Sequence, residues 1–582
     1  MKKSRQKPRP ETGPVGTHGR GAAAAVATSP RGGTFVWWPW VGGLVALLLA
    51  FKAYGPALYG AFVLDDRYLP FFSPDIVGRP LLGWLMGIRP MLMFSFWMNY
   101  SAAGVDPYVY HATNVLLHFF NAVLVALIAA RLLEWAGVDA GPAKPTLGIF
   151  AGALFLIHPI QTESVAYVAS RSEVLSVLFY YGAYCVFLYR RTEPITWVRA
   201  LTVVALFGAA ATTKEHTLTL PGLLVLTDLY WRKPGVRANL RLYSVLAVAA
   251  AGGGVMVLRV LRAANTAGFG VAGLTPIDYF LTQCRVVWMY LRLAVLPLGQ
   301  NADPDVAISR GFLDPSAILG LLGVAGLLAA AWIFRKRWPL ACFGVFVFFL
   351  LLTPTSSIVP ILDPMAERRV YLPFIGLTFV ALEFLRRLQL RQRLMIEVPV
   401  LLALFLLTYQ RSAVWGNPMA LWSDAVEKSP RKVRPRSQLA FAYYEQRNCP
   451  KAAETYEIAS RLAKPDYPLL IDWAYSLDCA GRSQEAILVL REATQRESDP
   501  QAWTLLGQAY GKLRNTADAF AALDQAQKLN PNYVMTFAVR GNVYESIGDF
   551  PHAIQQYQRA VDLDPNNEPV RQSLARVLSQ HR

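Results

Sequence analysis

Apolar runs of about 17–25 residues, the length that crosses a hydrocarbon core, recur through the first two-thirds of this 582-residue chain. They fall at about 35–57, 111–132, 146–162, 173–189, 197–213, 216–231, 240–262, 314–334, 338–360, 369–386 and 394–411. Read as helices, they make a bundle of eleven spans. Charged residues are 16% of the chain and hydrophobic ones 54%, against about 25% charged in a soluble domain. The last third has an ordinary soluble composition, so a membrane part precedes a soluble part.

The net charge of +18 does not point to nucleic acid, because the cations sit in short loops between apolar runs, the positive-inside pattern. Residues 1–34 carry Lys2, Lys3, Arg5, Lys7, Arg9, Arg20 and Arg31 against Glu11, the composition of a disordered cytoplasmic tail. A further apolar stretch, 279–298, contains Gln283, Arg285 and Arg292. Reading it as an interfacial helix keeps four basic clusters inside: Arg190/Arg191, Arg232/Lys233/Arg237, Arg335/Lys336/Arg337 and Arg386/Arg387/Arg391/Arg393. This topology puts the N-terminus inside and the C-terminal domain outside.

From about 433 the chain repeats. Trp503, Leu506, Gly507, Tyr510, Ala519, Leu523, Ala526 and Pro531 stand at tetratricopeptide spacing, and Phe537, Gly541, Tyr544, Gly548, Ala553, Tyr557, Ala560 and Pro565 repeat it. Ala452, Ala486, Ala519 and Ala553 recur at intervals of 34, 33 and 34 residues. The expected architecture is all-α: a basic tail (1–34), a polytopic membrane bundle (35–411), a linker (412–432), four repeats forming a solenoid (433–567) and a capping helix (568–582). Cys449 and Cys479 fall near the inter-helix turns of neighbouring repeats. They are candidates for a disulfide if that domain lies in an oxidising compartment, and the alternative is two buried thiols.

Polar residues of the membrane part gather in segments that this topology turns to one side. Asp65 and Asp66 directly follow the first span, with Arg79, Arg89 and Asn99 beyond them. Next come His158, Gln161, Thr162 and Glu163, then Arg171, Ser172 and Glu173, then Lys214, Glu215 and His216, and last Asp363 through Pro373 with Glu367, Arg368 and Arg369. His111, Asn114 and His118 share one helical stripe. Charged groups at membrane depth face a cavity, pair, or do chemistry. Moving a sugar from a phosphate to a hydroxyl requires a carboxylate to take the hydroxyl proton and cations to hold the departing phosphate. The bland readings stay open. The aspartates would cap a helix or pair with Arg67, the histidines would pack, Lys214 and Glu215 would pair at a turn, and Arg368 and Arg369 would anchor lipid headgroups.

Several motifs in order carry a resemblance: Arg89-Pro90 through Asn99-Tyr100, Tyr110-His111 with Asn114 and His118, His158-Pro159, Thr162-Glu163, Arg171-Ser172-Glu173, Lys214-Glu215, and Ala366-Glu367-Arg368 with Tyr371-Leu372-Pro373. From about residue 35 to the end of the repeats the chain resembles the transmembrane and tetratricopeptide-repeat O-mannosyltransferase family, most closely its bacterial members. His216 stands where animal members carry Gln, and Gln161 where His is usual. The resemblance implies a GT-C fold and transfer, with inversion, of a sugar (mannose in the family) from a polyprenyl- or dolichyl-phosphate carrier to a hydroxyl.

On this reading the chain is a multi-pass bacterial inner-membrane glycosyltransferase with a periplasmic repeat domain. Asp65 or Asp66 is the general base, the other orienting the acceptor or touching a divalent cation, the one cofactor left open. Arg368, Arg369, Lys214 and Arg89 hold the lipid phosphate. His118, Glu163, His158, Arg171, Glu215 and Glu367 support them. The partners expected are the lipid-linked sugar, the bilayer and an acceptor, Ser or Thr of an exported protein held by the repeats, with no nucleic acid. The rivals are a GT-C transferase acting on a glycan or lipid, and a non-enzymatic repeat scaffold for an envelope assembly machine.

Overall fold

The computed structural model describes residues 38–138, 143–190, 195–232, 235–263 and 266–580, and all of their regular structure is helical apart from one isolated bridge between Ala267 and Ile361. The tail 1–34, Arg191 and Lys233 of two basic clusters, and Arg582 lie outside the described residues. The chain divides into a unit up to Val45 and a unit 46–582; every contact below belongs to the second.

Each of the eleven apolar runs falls on a helix, but the helices are often shorter than the runs. Among the described residues three helices are long and apolar enough to cross a membrane: Pro107–Trp135, Val236–Arg259 and Pro315–Phe334. A fourth candidate is a pair, Ala143–Ile157 and Pro159–Ala166, bent by 51°. Proline sets these limits, since it lacks an N–H and disfavours a helical residue before it. Pro159 makes the bend. The run 338–360 is helical only over Pro339–Leu352, before Thr353-Pro354, and the run 369–386 begins its helix at Phe374, after Pro373. The ambiguous stretch is the helix Pro276–Val295, apolar and buried on one side, with Trp288, Arg292 and Val295 exposed on the other.

The repeats are helix pairs, Val433–Glu445 with Cys449–Leu462, Tyr467–Cys479 with Ser483–Arg496, Pro500–Lys512 with Thr516–Leu529, and Val534–Ser546 with Phe550–Leu563, followed by Glu568–Gln580. Ala452, Ala486, Ala519 and Ala553 are fully buried where the paired helices approach. Gly507 and Gly541 permit the same closeness: a Cβ there would meet Leu523 Cγ at 2.7 Å and the Tyr557 ring at 2.6 Å. Cys449 and Cys479 are bonded, their Cα atoms 5.6 Å apart, which joins the first pair to the second. Residues 412–432, expected as a linker, are instead the end of the helix Leu390–Trp415 and a further helix, Pro418–Lys428. Asn417 caps that helix by accepting from Met419 N and Ala420 N, and Leu421, Trp422 and Ala425 bury its inner face.

Within the bundle, Pro339–Leu352 and Phe374–Leu385 cross at two glycines. A Cβ on Gly344 would stand 2.3 Å from the Gly376 carbonyl oxygen, and one on Gly376 would stand 2.4 Å from that of Gly344. Small residues at a crossing let two backbones touch, which is how helices associate where lipid offers no hydrophobic drive. Gly376→Ala therefore has to spread these helices, at about 1–3 kcal/mol, the usual cost of overpacking. Thermal unfolding of the detergent-solubilised variant should show the loss as a lower midpoint; an unchanged midpoint would mean that the crossing relaxes freely.

Candidate active site

The acidic pair sits on the single-turn helix Leu64–Tyr68, and its two carboxylates have opposite environments. Leu64 takes φ = 51°, left-handed backbone that a branched residue rarely adopts. Asp66 is fully buried. Its Oδ2 accepts from Val63 N at 3.1 Å and its Oδ1 from Ala169 N at 2.6 Å, tying the loop to the turn Val168–Ser170. Burial pushes its carboxyl up to about 7, although these N–H groups pull the other way. Asp65 is exposed, and its backbone N–H donates to the Tyr167 hydroxyl at 3.0 Å. Arg67 leans the other way, pairing with Glu445 at 3.3 Å and lying 4.2 Å from the centre of the Phe441 ring.

Tyr167 brings the acidic loop to Arg368, whose guanidinium lies 5.9 Å from the centre of the tyrosine ring. The buried carboxylate of Glu163 takes both an Arg368 guanidinium N–H and the Arg368 backbone N–H, the latter at 3.0 Å. Two further pairs adjoin. Lys214 Nζ is 2.5 Å from Glu173 and 3.3 Å from Ser172 Oγ, and Arg89 makes a two-bonded fork with Glu215, 2.9 Å in each arm. Burial pulls the Lys214 ammonium below its ordinary range, Glu173 opposes this, and the charges of Arg89 and Arg368 add to the lowering. The three cations thus share one field. His216 Nε2 is 3.6 Å from Glu173.

The other candidates fix the framework. Arg171, fully buried, donates to Asn114 Oδ1 at 2.8 Å, to the Tyr110 carbonyl at 2.9 Å, to the Ser95 carbonyl at 3.3 Å and to Asn99. His118 Nδ1 is 2.8 Å from the Tyr371 hydroxyl and its Nε2 is 3.0 Å from the Leu156 carbonyl. His111 Nε2 lies 3.2 Å from the Gly60 carbonyl. His158 caps the turn after it, accepting from Ile160 N at 3.2 Å, with Nε2 3.0 Å from the Ala294 carbonyl. Arg369 donates to the carbonyls of Pro364 and Asp363, at 2.8 and 2.7 Å. Glu367 accepts from Gln300 Nε2 and Asn301 N, both at 2.7 Å, and burial pushes its carboxyl up to about 7. Three residues near the site were missed by sequence reasoning. Tyr167 passes there for one more aromatic residue of a membrane protein, and Asp303 and Arg434 for loop charges. Asp303 accepts from both Lys432 and Arg434, and Arg434 also pairs with Asp363 at 2.9 Å, so the start of the repeats is clamped to the loops around the site.

The donor set does not fit a divalent cation at the acidic pair. Both oxygens of Asp66 hold backbone N–H groups, which leaves the single carboxylate of Asp65. Among the described residues no group of three or more His, Cys, Asp or Glu side chains is placed to share a metal.

The raised Asp66 carboxyl has a stability consequence with a definite sign. Its folded value of about 7 exceeds the unfolded value of about 3.9, so its contribution is fully present below about pH 4 and is lost as pH rises through about 7. The stability of the native chain relative to Asp66→Asn should fall across that window and level off above it. Thermal midpoints of both proteins from pH 4 to 8 test this; parallel profiles would show that Asp66 does not titrate there.

The tetratricopeptide repeat family matches residues 471–534 and 504–568. The chain is 22% identical over 439 residues to a protein O-mannosyl-transferase of Caenorhabditis elegans, covering 67% of this chain and 58% of that protein. Against TMTC3 of Mus musculus, also named a protein O-mannosyl-transferase, identity is 21% over 588 residues, 88% of this chain and 62% of the relative. A shorter match to Tmtc1 of Drosophila melanogaster reaches 34% over 188 residues, 29% of this chain and 21% of that protein. The chain therefore spans less than two-thirds of the length of these relatives. Among solved structures, the tetratricopeptide protein YrrB aligns with a TM-score of 0.24 at 16% identity, over 27% of this chain and 80% of its own. By these sequence matches the chain is similar to proteins named protein O-mannosyl-transferases and carries tetratricopeptide repeats.

Proposed function

We propose that this protein is a membrane glycosyltransferase that moves a hexose, mannose by its relatives, from a polyprenyl-phosphate carrier to a serine or threonine hydroxyl of a polypeptide. The observation that supports the reading is one exposed carboxylate, Asp65, whose backbone N–H is held on the Tyr167 hydroxyl, with Arg368 beside that ring and Lys214 feeling the charges of Arg368 and Arg89. Asp65 takes the proton of the acceptor hydroxyl as its oxygen attacks the anomeric carbon. The bond from that carbon to the phosphate oxygen breaks on the opposite face, so the sugar inverts and polyprenyl phosphate leaves. Arg368 has one guanidinium N–H on Glu163 and further N–H groups to offer the phosphate as its charge grows, and a guanidinium does this with paired bonds. Glu163, Glu173 and Glu215 hold the three cations in place before the donor arrives. Asp66, its oxygens occupied, positions the loop.

The repeats hold the acceptor along their concave face. We place the protein in a bacterial inner membrane with its N-terminus cytoplasmic and the repeats periplasmic, where an oxidising compartment sustains the Cys449–Cys479 bond.

Purified protein in lipid, given labelled polyprenyl-phosphate mannose and a Ser/Thr peptide, should transfer the label to the peptide. Asp65→Asn should lower kcat by about 10²–10⁴, the usual contribution of a general base, with donor affinity unchanged. Arg368→Lys, which keeps the charge and loses the fork, should weaken donor affinity and turnover together. Full turnover in Asp65→Asn would remove the base assignment, and label appearing in lipid or glycan instead of peptide would replace the acceptor. For placement, a C-terminal alkaline phosphatase fusion should be active; an inactive one would put the repeats in the cytoplasm.

A further inference from the structure

Where the first two repeat pairs meet, Phe441, Tyr444, Tyr456, Asp472 and Tyr475 enclose a cavity of about 190 Å³. That is below the roughly 300–1,000 Å³ of small-molecule sites and suits the end of one side chain. Its walls are aromatic, and its charged group is a carboxylate without a partner: among the described residues Asp472 makes no side-chain hydrogen bond or ion pair. Burial pushes that carboxyl up to about 6, with the Arg67 charge only partly opposing it. Arg67 does not occupy the place, since its guanidinium lies over Phe441 and pairs with Glu445. A half-buried carboxylate among ring faces is short of a cation, because the rings attract positive charge over their faces and the carboxylate needs an opposite charge to stay ionised away from water. A neutral hydroxyl-rich ligand would leave that charge uncompensated.

Position adds to the chemistry. Arg67, two residues from Asp65 on the acidic loop, lies over Phe441 at the rim of this cavity, so the cavity is within one arginine side chain's reach of that loop. Resting on the peptide-acceptor reading above, we propose that the cavity of Phe441, Tyr444, Tyr456, Asp472 and Tyr475 is an acceptor-selecting subsite that takes a lysine or arginine side chain of the polypeptide being modified. The acceptors are then segments with a basic residue at a fixed spacing from the modified hydroxyl.

The test uses the full chain in lipid nanodiscs and two fluorescent Ser/Thr peptide series, identical except that lysine or norleucine is stepped along the sequence. At one spacing the lysine peptide should bind about tenfold more tightly by anisotropy, the scale of a desolvated cation–π contact. Asp472→Asn and Tyr475→Leu should each erase most of that advantage while leaving norleucine peptides unchanged, and the second variant carries the test if the first does not fold. Equal binding of lysine and norleucine peptides at every spacing overturns the subsite, as does a lysine preference that survives in both folded variants. Displacement of the lysine peptide by free mannoside, with no dependence on peptide charge, also overturns it in favour of a sugar site. Transfer to the same peptides is measured separately. Lysine preference without transfer leaves the subsite standing and sinks the transferase reading, and transfer without lysine preference does the reverse.

Discussion

The carboxylate of Asp66 holds two backbone N–H groups, of Val63 and of Ala169, on segments about a hundred residues apart. The geometry around Asp65 depends on that double contact. A buried N–H without an acceptor costs about 1–3 kcal/mol, so losing the carboxylate would expose two such costs at once and free the loop from the Val168–Ser170 turn. The same contact holds Leu64 at its positive φ. Strain of that kind persists only where neighbouring contacts over-determine it. Because Asp66 faces inward, Asp65 is left to face out, with its own N–H fixed on Tyr167.

The second constraint is the handling of charge. Buried ions are tolerated when each has a partner and its other polar atoms are hydrogen-bonded. The three cations of the candidate site follow this pairwise, Arg368 with Glu163, Lys214 with Glu173 and the partly exposed Arg89 with Glu215. A similar arrangement on a larger scale joins the repeats to the bundle. Asp303 binds Lys432 and Arg434, Arg434 reaches Asp363, and Ser429 Oγ accepts from Asn301 and donates to the Asp303 carbonyl. Glu367 holds Asn301 in turn, and Arg368 follows it in sequence. The first repeat and the arginine beside Tyr167 are thereby parts of one polar network.

Much of this was legible in the residues, for identifiable reasons. Each apolar run fell on a helix, since burial in lipid or in protein favours the same residues, although the helix Pro90–Ala103 lay outside every run. Hydropathy overestimated several lengths because it does not sense the prolines at 159, 354 and 373, which break, end or delay helices inside apolar runs. The repeats were legible because small residues must recur at each crossing, as Ala452, Ala486, Ala519 and Ala553 do. The polar motifs were legible as a group because a charge within an apolar run is costly, and Arg89, Glu163, Glu173, Lys214 and Arg368 are indeed brought together. What spacing did not reveal was which of two neighbours faces inward. Asp65 and Asp66, and likewise Arg368 and Arg369, differ only through the single helical turns that carry them, and those turns are fixed by distant acceptors such as Tyr167 and Glu163. The helix Pro418–Lys428 was missed for a related reason, since its apolar face is short and meets its partners only in the folded chain.

The pairing of cations with glutamates bears directly on how a phosphate could be held. In the free protein the three positive charges are balanced by three carboxylates, so the site does not present a large net field to any passing anion. On the proposed function, an incoming phosphate would instead use the N–H directions the glutamates leave open, which Arg368 has in the rest of its guanidinium. That favours an anion delivered in a fixed orientation over a free one, as a lipid-anchored donor would be. In the proposed transfer the glutamates would share in the electrostatics: with the cations already in position, nothing has to reorganise as charge develops on the leaving oxygen.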